Sequence, residues 1–363
     1  MTELMLPIMI VVLASVFQGT FGIGMKYVKP MSWEAWWVIQ SVVAMLLFPL
    51  IWALIVVPDL FIVISAAPMN EVIAGATMGF LWGIGGIMFG VSVGYIGMSL
   101  TYGIVMGGCG IAATIIALIQ GADSIVPASI PYTILGLVLY ALALVVVTIG
   151  GLKRDKKLAA DGKELVGIKK GAEFKKGLII AVVCGLLSSL LFIGFNNTMG
   201  IGKIAEAHGA IVRNTALARW VVVLLGALIM NLGYAVILLI KNKKVIAENT
   251  GGVGKALAWA VVTGLLWFAA LGTMGQGSAM MGDIGAVIAT PIFLALSLIV
   301  SNIAAVITGE WKGAGKALNY VFVGVALIVL AAAALSFAGT FKAEESAANA
   351  VAPTEINKGT LHD

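Results

Sequence analysis

Long uncharged apolar runs follow one another from the start of this chain almost to its end. Only 11% of the 363 residues are charged, and 61% are hydrophobic. An α-helix needs about 20 apolar residues to cross the hydrocarbon core of a bilayer. In lipid, a helix satisfies all of its own backbone hydrogen bonds, so runs of this length predict transmembrane helices. The uncharged runs are 4–25, 35–58, 72–122, 124–152, 177–202, 220–240, 256–282, 284–309 and 317–341.

The run 72–122 is about twice as long as one crossing requires. We expect it to hold two helices joined by a tight turn near Gly94–Gly97, which gives ten spans in total. The predicted fold class is therefore an all-α integral membrane protein with ten transmembrane helices. The acidic start Met1–Glu3 argues against a cleaved signal peptide, because a signal peptide has a basic leading segment.

The basic residues are concentrated in alternate loops. These loops hold 17 of the 22 Lys and Arg residues, nine of them in the segment 153–176. Cytoplasmic loops carry the excess of Lys and Arg, so both termini are predicted to lie on the periplasmic side of a bacterial inner membrane. The net charge of +5 reflects this loop pattern and does not indicate a nucleic-acid partner. We interpret the chain as two five-helix halves (1–152 and 177–341), a basic cytoplasmic linker (153–176) and a disordered periplasmic tail (342–363).

Two stretches recur half a chain apart. FQGTFGIG at 17–24 returns as FNNTMGIG at 195–202, an offset of 178 residues. GFLW at 79–82 is matched by GLLW at 264–267, an offset of 185 residues. With five helices in each half, the second half enters the membrane from the opposite face. The matches therefore predict an inverted 5+5 repeat, which is the plan of many secondary transporters.

The first repeated stretch combines glycines, which weaken a helix, with side chains that satisfy freed backbone groups or a polar solute. Inversion places one copy near each membrane face, where alternating access needs hinges or gates. An alternative is that these small residues simply end two ordinary helices. The candidate gate glycines are Gly22, Gly24, Gly200 and Gly202, and the candidate substrate-binding amides are Gln18, Asn196 and Asn197.

A matched pair of tryptophans, Trp82 and Trp267, lies near the middle of two predicted spans. Tryptophan in membranes is enriched at the interfaces, so a pair at mid-span is unusual. Two indoles that face a cavity can stack on the apolar face of a sugar ring while amides and hydroxyls bind its hydroxyl groups. The alternative is that both indoles only pack or face lipid. The polar neighbours predicted to take part are Gln40, Gln276 and Tyr102.

Ionisable residues near the spans are few, and coupling to protons needs one group that titrates. Asp283, in a glycine-rich segment between the eighth and ninth spans, is the first candidate, and Glu34 is the second. Each has a structural alternative, and for Glu34 we favour that alternative, in which its charge stabilises the start of a helix. The sequence contains no metal-ligand spacing, Walker loop or serine-hydrolase elbow. It therefore predicts no metal, no cofactor and no catalytic site.

Four stretches carry a similarity to a known family: MSWEAWW at 31–37, the block 80–104, the segment 174–189 and GEWKGAG at 309–315. In these stretches the sequence resembles the L-rhamnose–proton symporter family, within the drug/metabolite transporter superfamily. The resemblance implies uptake of a neutral deoxysugar, coupled to H⁺, through alternating access. Three alternatives stay open: a carrier of another small metabolite on the same scaffold, a channel, and a membrane enzyme. The inverted repeat favours a carrier over a channel, and the absence of a catalytic cluster disfavours an enzyme.

Overall fold

The computed structural model describes residues 2–96, 98–120, 126–160, 171–245, 251–282, 285–309 and 311–351. Within these ranges every regular element is helical and no strand occurs. The α-helices, in chain order, are α1 (Thr2–Thr20), α2 (Trp33–Val42), α3 (Phe48–Val56), α4 (Leu60–Ser65), α5 (Met69–Ile96), α6 (Met98–Gln120), α7 (Ile130–Ala160), α8 (Ala172–Asn196), α9 (Met199–Ala207), α10 (Thr215–Lys241), α11 (Val253–Met280), α12 (Gly285–Ile307) and α13 (Ala317–Val351).

Nine helical segments of the described chain are long and apolar enough to cross a membrane. The long helix outside this set is α6, whose described apolar part is the shorter stretch Gly103–Ala113. The helix α5 ends at Ile96 and α6 begins at Met98, close to the predicted turn. The chain is thus an all-α, multi-pass membrane protein with about nine candidate spans. The tenth span and the inverted repeat stay predictions.

Both copies of the repeated stretch interrupt a span. The helix α1 ends at Thr20 and continues as the 3₁₀ helix Phe21–Tyr27, whereas α8 ends at Asn196 and α9 begins at Met199. In the register of the repeat, Phe21 corresponds to Met199, so the new helical segment starts at the same place in each copy. Glycine costs about 1 kcal/mol relative to alanine inside a helix, and the glycines of the repeat are a local reason for the change.

Each helix contact below has a counterpart when the helices of the two halves are exchanged. The helix α8 packs against α5 and α6, and α1 packs against α11 and α12. The helix α10 packs against α5, α2 packs against α11, and α7 packs against α13. The same set of contacts results when each helix is exchanged with its counterpart in the other half. The exchanged pairs are α1 with α8, α5 with α11, α6 with α12, α2 with α10 and α7 with α13.

Glycines allow the closest of these approaches, as expected for small-residue packing between membrane helices. A Cβ atom on Gly79 of α5 would overlap the backbone of Val223 on α10. A Cβ on Gly264, the matching position of α11, would lie 3.0 Å from the Cβ of Val43. A Cβ on Gly226 of α10 would overlap the carbonyl oxygen of Ala76 on α5. The sequence-matched glycines therefore lie at matching helix contacts.

The charged segments are more helical than we expected from the sequence. The helix α7 continues to Ala160 and α8 begins at Ala172, so the predicted linker is helical at both ends, with 161–170 outside the described residues. The helix α13 runs to Val351, into the tail predicted as disordered, and 352–363 lie outside the described residues. Alanine and glutamate in this tail are strong helix formers, and extending an existing helix needs no new nucleus.

The predicted orientation can be tested at the two ends of α10. Ile211 and Val245 flank this helix and are 53% and 55% exposed, while the native Cys109 and Cys184 are buried. If cytoplasmic loops carry the positive charge, a membrane-impermeant maleimide added to spheroplasts labels Ile211→Cys but labels Val245→Cys only after permeabilisation. Labelling of Val245→Cys in sealed spheroplasts would contradict the orientation.

Close packing at Gly226 gives a second prediction. Gly226→Ala should lower the free energy of unfolding by about 1–3 kcal/mol, because the new methyl group overlaps the α5 backbone. The matched control is Gly233→Ala on the same helix, where a Cβ meets open space. That variant should be unchanged or more stable by up to about 1 kcal/mol. Thermal unfolding in detergent measures both, and equal stability of the two variants would refute the close approach.

Candidate functional site

The two matched tryptophans contact each other across the halves. The ring centroids of Trp82 on α5 and Trp267 on α11 are 5.5 Å apart, and the ring planes are inclined by 30°. Trp267 is 7% exposed, and Trp82 packs against the same buried apolar cluster. The structure therefore brings together two residues that were selected from the sequence match alone. Their stacked rings form an aromatic contact that connects α5 and α11.

A buried amide and a third indole lie beside this tryptophan pair. Trp37 Nε1 donates a hydrogen bond to Asn231 Oδ1 at 3.2 Å, and Asn231 Nδ2 donates to the carbonyl oxygen of Ala227 at 2.9 Å. Asn231 Nδ2 also lies 3.0 Å from the position that a Cβ atom would occupy on Gly83, the residue next to Trp82. Neither Trp37 nor Asn231 was predicted from the sequence as a site residue. The available signal was a single asparagine within the uncharged run 220–240.

Two predicted amides carry polar atoms that lack a protein partner. The Oε1 atoms of Gln18 and Gln40 are buried and accept no hydrogen bond from the described residues. The backbone oxygen of Gln40 lies 3.1 Å from the position of a Cβ on Gly264, one helical turn from Trp267. Leaving a buried acceptor unsatisfied costs about 1–3 kcal/mol. These oxygens are therefore suited to accept hydrogen bonds from the hydroxyl groups of a bound molecule.

The other predicted polar residues lie elsewhere. Gln276 Nε2 donates to Asn214 Oδ1 at 2.9 Å, and Gln276 is about 13 Å along the α11 axis from Trp267. Asn196 and Asn197 lie at the end of α8 and are partly buried. Tyr102 lies within α6, and its side chain is outside the described part of the chain.

The interruption between α8 and α9 is capped by two charged side chains. Arg219 Nη2 donates to the carbonyl oxygen of Phe195 at 2.6 Å, and its guanidinium lies 3.8 Å from the centroid of the Phe195 ring. Glu71 Oε2 accepts hydrogen bonds from the backbone N–H of Gly200 at 2.8 Å and of Ile201 at 3.4 Å. The cation thus faces the carbonyl end of α8 and the anion faces the amide end of α9, which is the arrangement that helix dipoles favour.

Three of the four predicted gate glycines lie in tight contacts. A Cβ on Gly24 would overlap the hydroxyl oxygen of Thr263 on α11. A Cβ on Gly200 would overlap the Glu71 carboxylate, and a Cβ on Gly202 would lie 3.2 Å from Cδ of Arg219. Gly22 differs, because a Cβ there meets open space.

The predicted coupling residues are Glu34 and Asp283. Glu34 lies in the first turn of α2, where Ser32 Oγ accepts a hydrogen bond from Ala35 N at 3.3 Å and Asn242 Nδ2 donates to Glu34 Oε1. This is a helix-capping environment, and it favours the structural interpretation of Glu34. Asp283 lies outside the described residues. Among the residues that are described, no group of three or more His, Cys, Asp or Glu side chains could hold a metal ion.

Related proteins match the chain over most of its length. The L-rhamnose-proton symporter of Citrobacter koseri is 26% identical over 316 residues, which cover 85% of this chain and 90% of that protein. The L-rhamnose-proton symporters of Escherichia coli O1:K1 and Shigella sonnei match over the same shares at 26% and 25% identity. A solved crystal structure with 11% sequence identity superposes with a TM-score of 0.56, covering 92% of this chain and 98% of that one. This last likeness supports the fold alone.

A family model gives the assignment. The model of the L-rhamnose-proton symport protein family matches residues 2–340, which include both halves and every helix named above, except the last turns of α13. This match confirms the resemblance found in the sequence. The chain therefore belongs to the L-rhamnose-proton symport protein family, whose members are membrane transporters and not enzymes.

Proposed function

We propose that this protein takes up L-rhamnose together with protons by alternating access across a bacterial inner membrane. The observation that carries the proposal is the stacked pair Trp82 and Trp267, which joins the two halves and has polar groups beside it. The related symporters are named for L-rhamnose and protons, which supports the choice of sugar and of H⁺ as the coupling ion.

The geometry of the tryptophan pair limits how a sugar can bind. A ring held between two indoles needs two van der Waals contacts of about 3.5–4 Å, so the indoles would have to be more than about 7 Å apart. The observed centroid separation is 5.5 Å. In this arrangement the sugar packs its apolar C–H face against an outer indole face of the pair rather than between the rings.

Polar groups without a protein partner are suited to the hydroxyl groups of the sugar. The free oxygens of Gln18 and Gln40 accept hydrogen bonds, and Asn231 has one amide hydrogen beyond the bond that it donates to Ala227. A sugar site needs this combination of an apolar wall and a few placed polar groups. Trp82, Trp267, Gln18 and Gln40 are therefore the first residues that we assign to the sugar. Asn196, Asn197, Gln276 and Tyr102 stay candidates for its entry or exit.

Alternating access requires two gates that move in opposite senses. The halves 1–152 and 177–341 each carry an interrupted helix, and the helix contacts map onto themselves when the halves are exchanged. This supports an inverted repeat in which the 3₁₀ segment Phe21–Tyr27 serves one face and α9 serves the other. With basic loops in the cytoplasm and both termini in the periplasm, α9 lies on the periplasmic side. Asp283 and Glu34 remain candidate coupling groups.

The tryptophan pair gives a direct test in proteoliposomes. Purified protein should exchange internal unlabelled L-rhamnose for external labelled L-rhamnose. In Trp267→Ala the KM for this counterflow should rise about tenfold, because the lost aromatic contact contributes about 1.5 kcal/mol. The control is Phe322→Ala, an aromatic truncation away from the site, since Phe322 is 62% exposed on α13. Its KM should match the parent.

Two results would count against the proposal. An unchanged KM in Trp267→Ala would remove the tryptophan pair from the sugar site. Absence of L-rhamnose counterflow in the parent would overturn the choice of sugar, and a screen of other small metabolites in the same assay would then test the alternative carrier.

A further inference from the structure

A buried arginine and a carboxylate hold the interruption between α8 and α9, and the sugar site does not use them. Arg219 is 3% exposed and lies within the candidate span Val212–Lys241. Charged side chains inside a membrane are costly, and they commonly mark ion or proton pathways. A Cβ on Gly200 would meet the Glu71 carboxylate and a Cβ on Gly202 would lie 3.2 Å from Cδ of Arg219, so both charged side chains pack against the first turn of α9. They come from α10 and α5, the two helices that pack against each other through Gly226.

The contacts of Glu71 depend on its ionisation. Its Oε2 atom accepts from two consecutive backbone N–H groups in the first turn of α9. A carboxylate is a strong acceptor at such a position, because the unpaired N–H groups of a helix start carry partial positive charge. A protonated carboxyl group is a weaker acceptor there and no longer balances Arg219. Proton binding at Glu71 therefore weakens two interactions at once: the hydrogen bonds that cap α9 and the attraction between Glu71 and Arg219.

Other charged groups near this interruption are less suited to this role. The last turn of α8 carries no titratable residue, and on α9 both Lys203 and Glu206 are exposed. At the far end of α9, His208 Nδ1 and Asp59 Oδ2 are 3.4 Å apart, and their side chains are 32% and 59% exposed. Arg219 is the charge that α10 presents to Glu71. Among these described groups, Glu71 is the partly buried carboxylate that bonds directly to a helix start.

We propose that Glu71 is the proton-binding site of the transport cycle and that Arg219 is its positioning residue. This inference rests on the proposed symport function. The proton forms an O–H bond at the Glu71 carboxylate, which then loses its charge. Coupling requires that the proton binds two conformations of the carrier with different affinity. Loss of the carboxylate charge weakens the cap of α9, so the protonated carrier favours an arrangement in which this cap is released.

The test compares Glu71→Gln with the parent in proteoliposomes. Glutamine keeps the size and an acceptor oxygen of the side chain but does not titrate. The expected result is loss of accumulation of labelled L-rhamnose above equilibrium under an inward proton gradient, and loss of sugar-induced alkalinisation outside the vesicles. Counterflow without a gradient should survive, and its dependence on pH, present in the parent, should disappear. Glu206→Gln, an exposed glutamate on α9, is the matched control and should behave as the parent.

The outcomes separate the two proposals. A parent that does not transport L-rhamnose overturns the proposed function and this inference with it. A coupled parent together with gradient-driven accumulation in Glu71→Gln overturns only the inference. Loss of coupling in Glu34→Gln or Asp283→Asn, with coupling intact in Glu71→Gln, would assign the proton to one of those residues instead.

A second variant keeps the test decisive if Glu71→Gln does not fold. Glu71→Asp retains a carboxylate but shortens its reach to the start of α9 by one methylene. Coupled uptake should persist in this variant with a shifted pH midpoint, because the hydrogen bonds and the distance to Arg219 change. A pH midpoint and an accumulation ratio equal to those of the parent would overturn the inference.

Discussion

The structure depends on the satisfaction of backbone hydrogen bonds where a helix is interrupted inside the membrane. Lipid offers no partner for free N–H and C=O groups, so an interruption persists only if other protein groups take their place. Between α8 and α9, Arg219 donates a hydrogen bond to the carbonyl oxygen of Phe195 near the end of α8, and Glu71 accepts hydrogen bonds from N–H groups at the start of α9. One arginine and one glutamate thus make a broken span possible. A change of charge on either one alters the stability of that break.

The matching interruption in the first half is satisfied differently. There α1 continues as a 3₁₀ helix packed against α11 at Gly24 and Thr263, and Thr20, which precedes this 3₁₀ helix, makes no side-chain capping hydrogen bond to it. The buried oxygens of Gln18 and Thr263 lack partners within the same described part of the chain. The repeated sequence therefore supports two chemically different breaks: one is capped by charge, and the other leaves polar groups free. The tryptophan pair lies on α5 and α11, which each pack against one interrupted helix. In the proposed function, a sugar bound there contacts the helices that pack against both breaks.

The sequence predicted the elements that follow from periodicity and repetition, and it missed those that follow from packing. The helical class, most span boundaries and the choice of Trp82 and Trp267 as a matched pair follow from apolar runs and a repeated GxLW pattern, whereas their direct contact was not predicted. Asn231 and Trp37 could not be selected, because the composition of a uniformly apolar helix does not determine which of its faces packs inward. Glu71 directly precedes the uncharged run 72–122, but its partners Gly200 and Ile201 are about 130 residues away in the chain. Long-range caps of this kind need the three-dimensional fold.

Reciprocal accessibility of the two interruptions is the most direct test of the central claim that they act as opposite gates. Gly22→Cys, where a side chain meets open space, reports on the first break, and Met199→Cys, 41% exposed, reports on the second. Each cysteine is introduced into a separate variant. The native cysteines are buried, so the labelling reports on the introduced one. The rate of maleimide labelling is measured with and without L-rhamnose. If the two interruptions are opposite gates, the sugar raises the rate at one position and lowers it at the other. A change of the same sign at both positions, or no change at either, would contradict it.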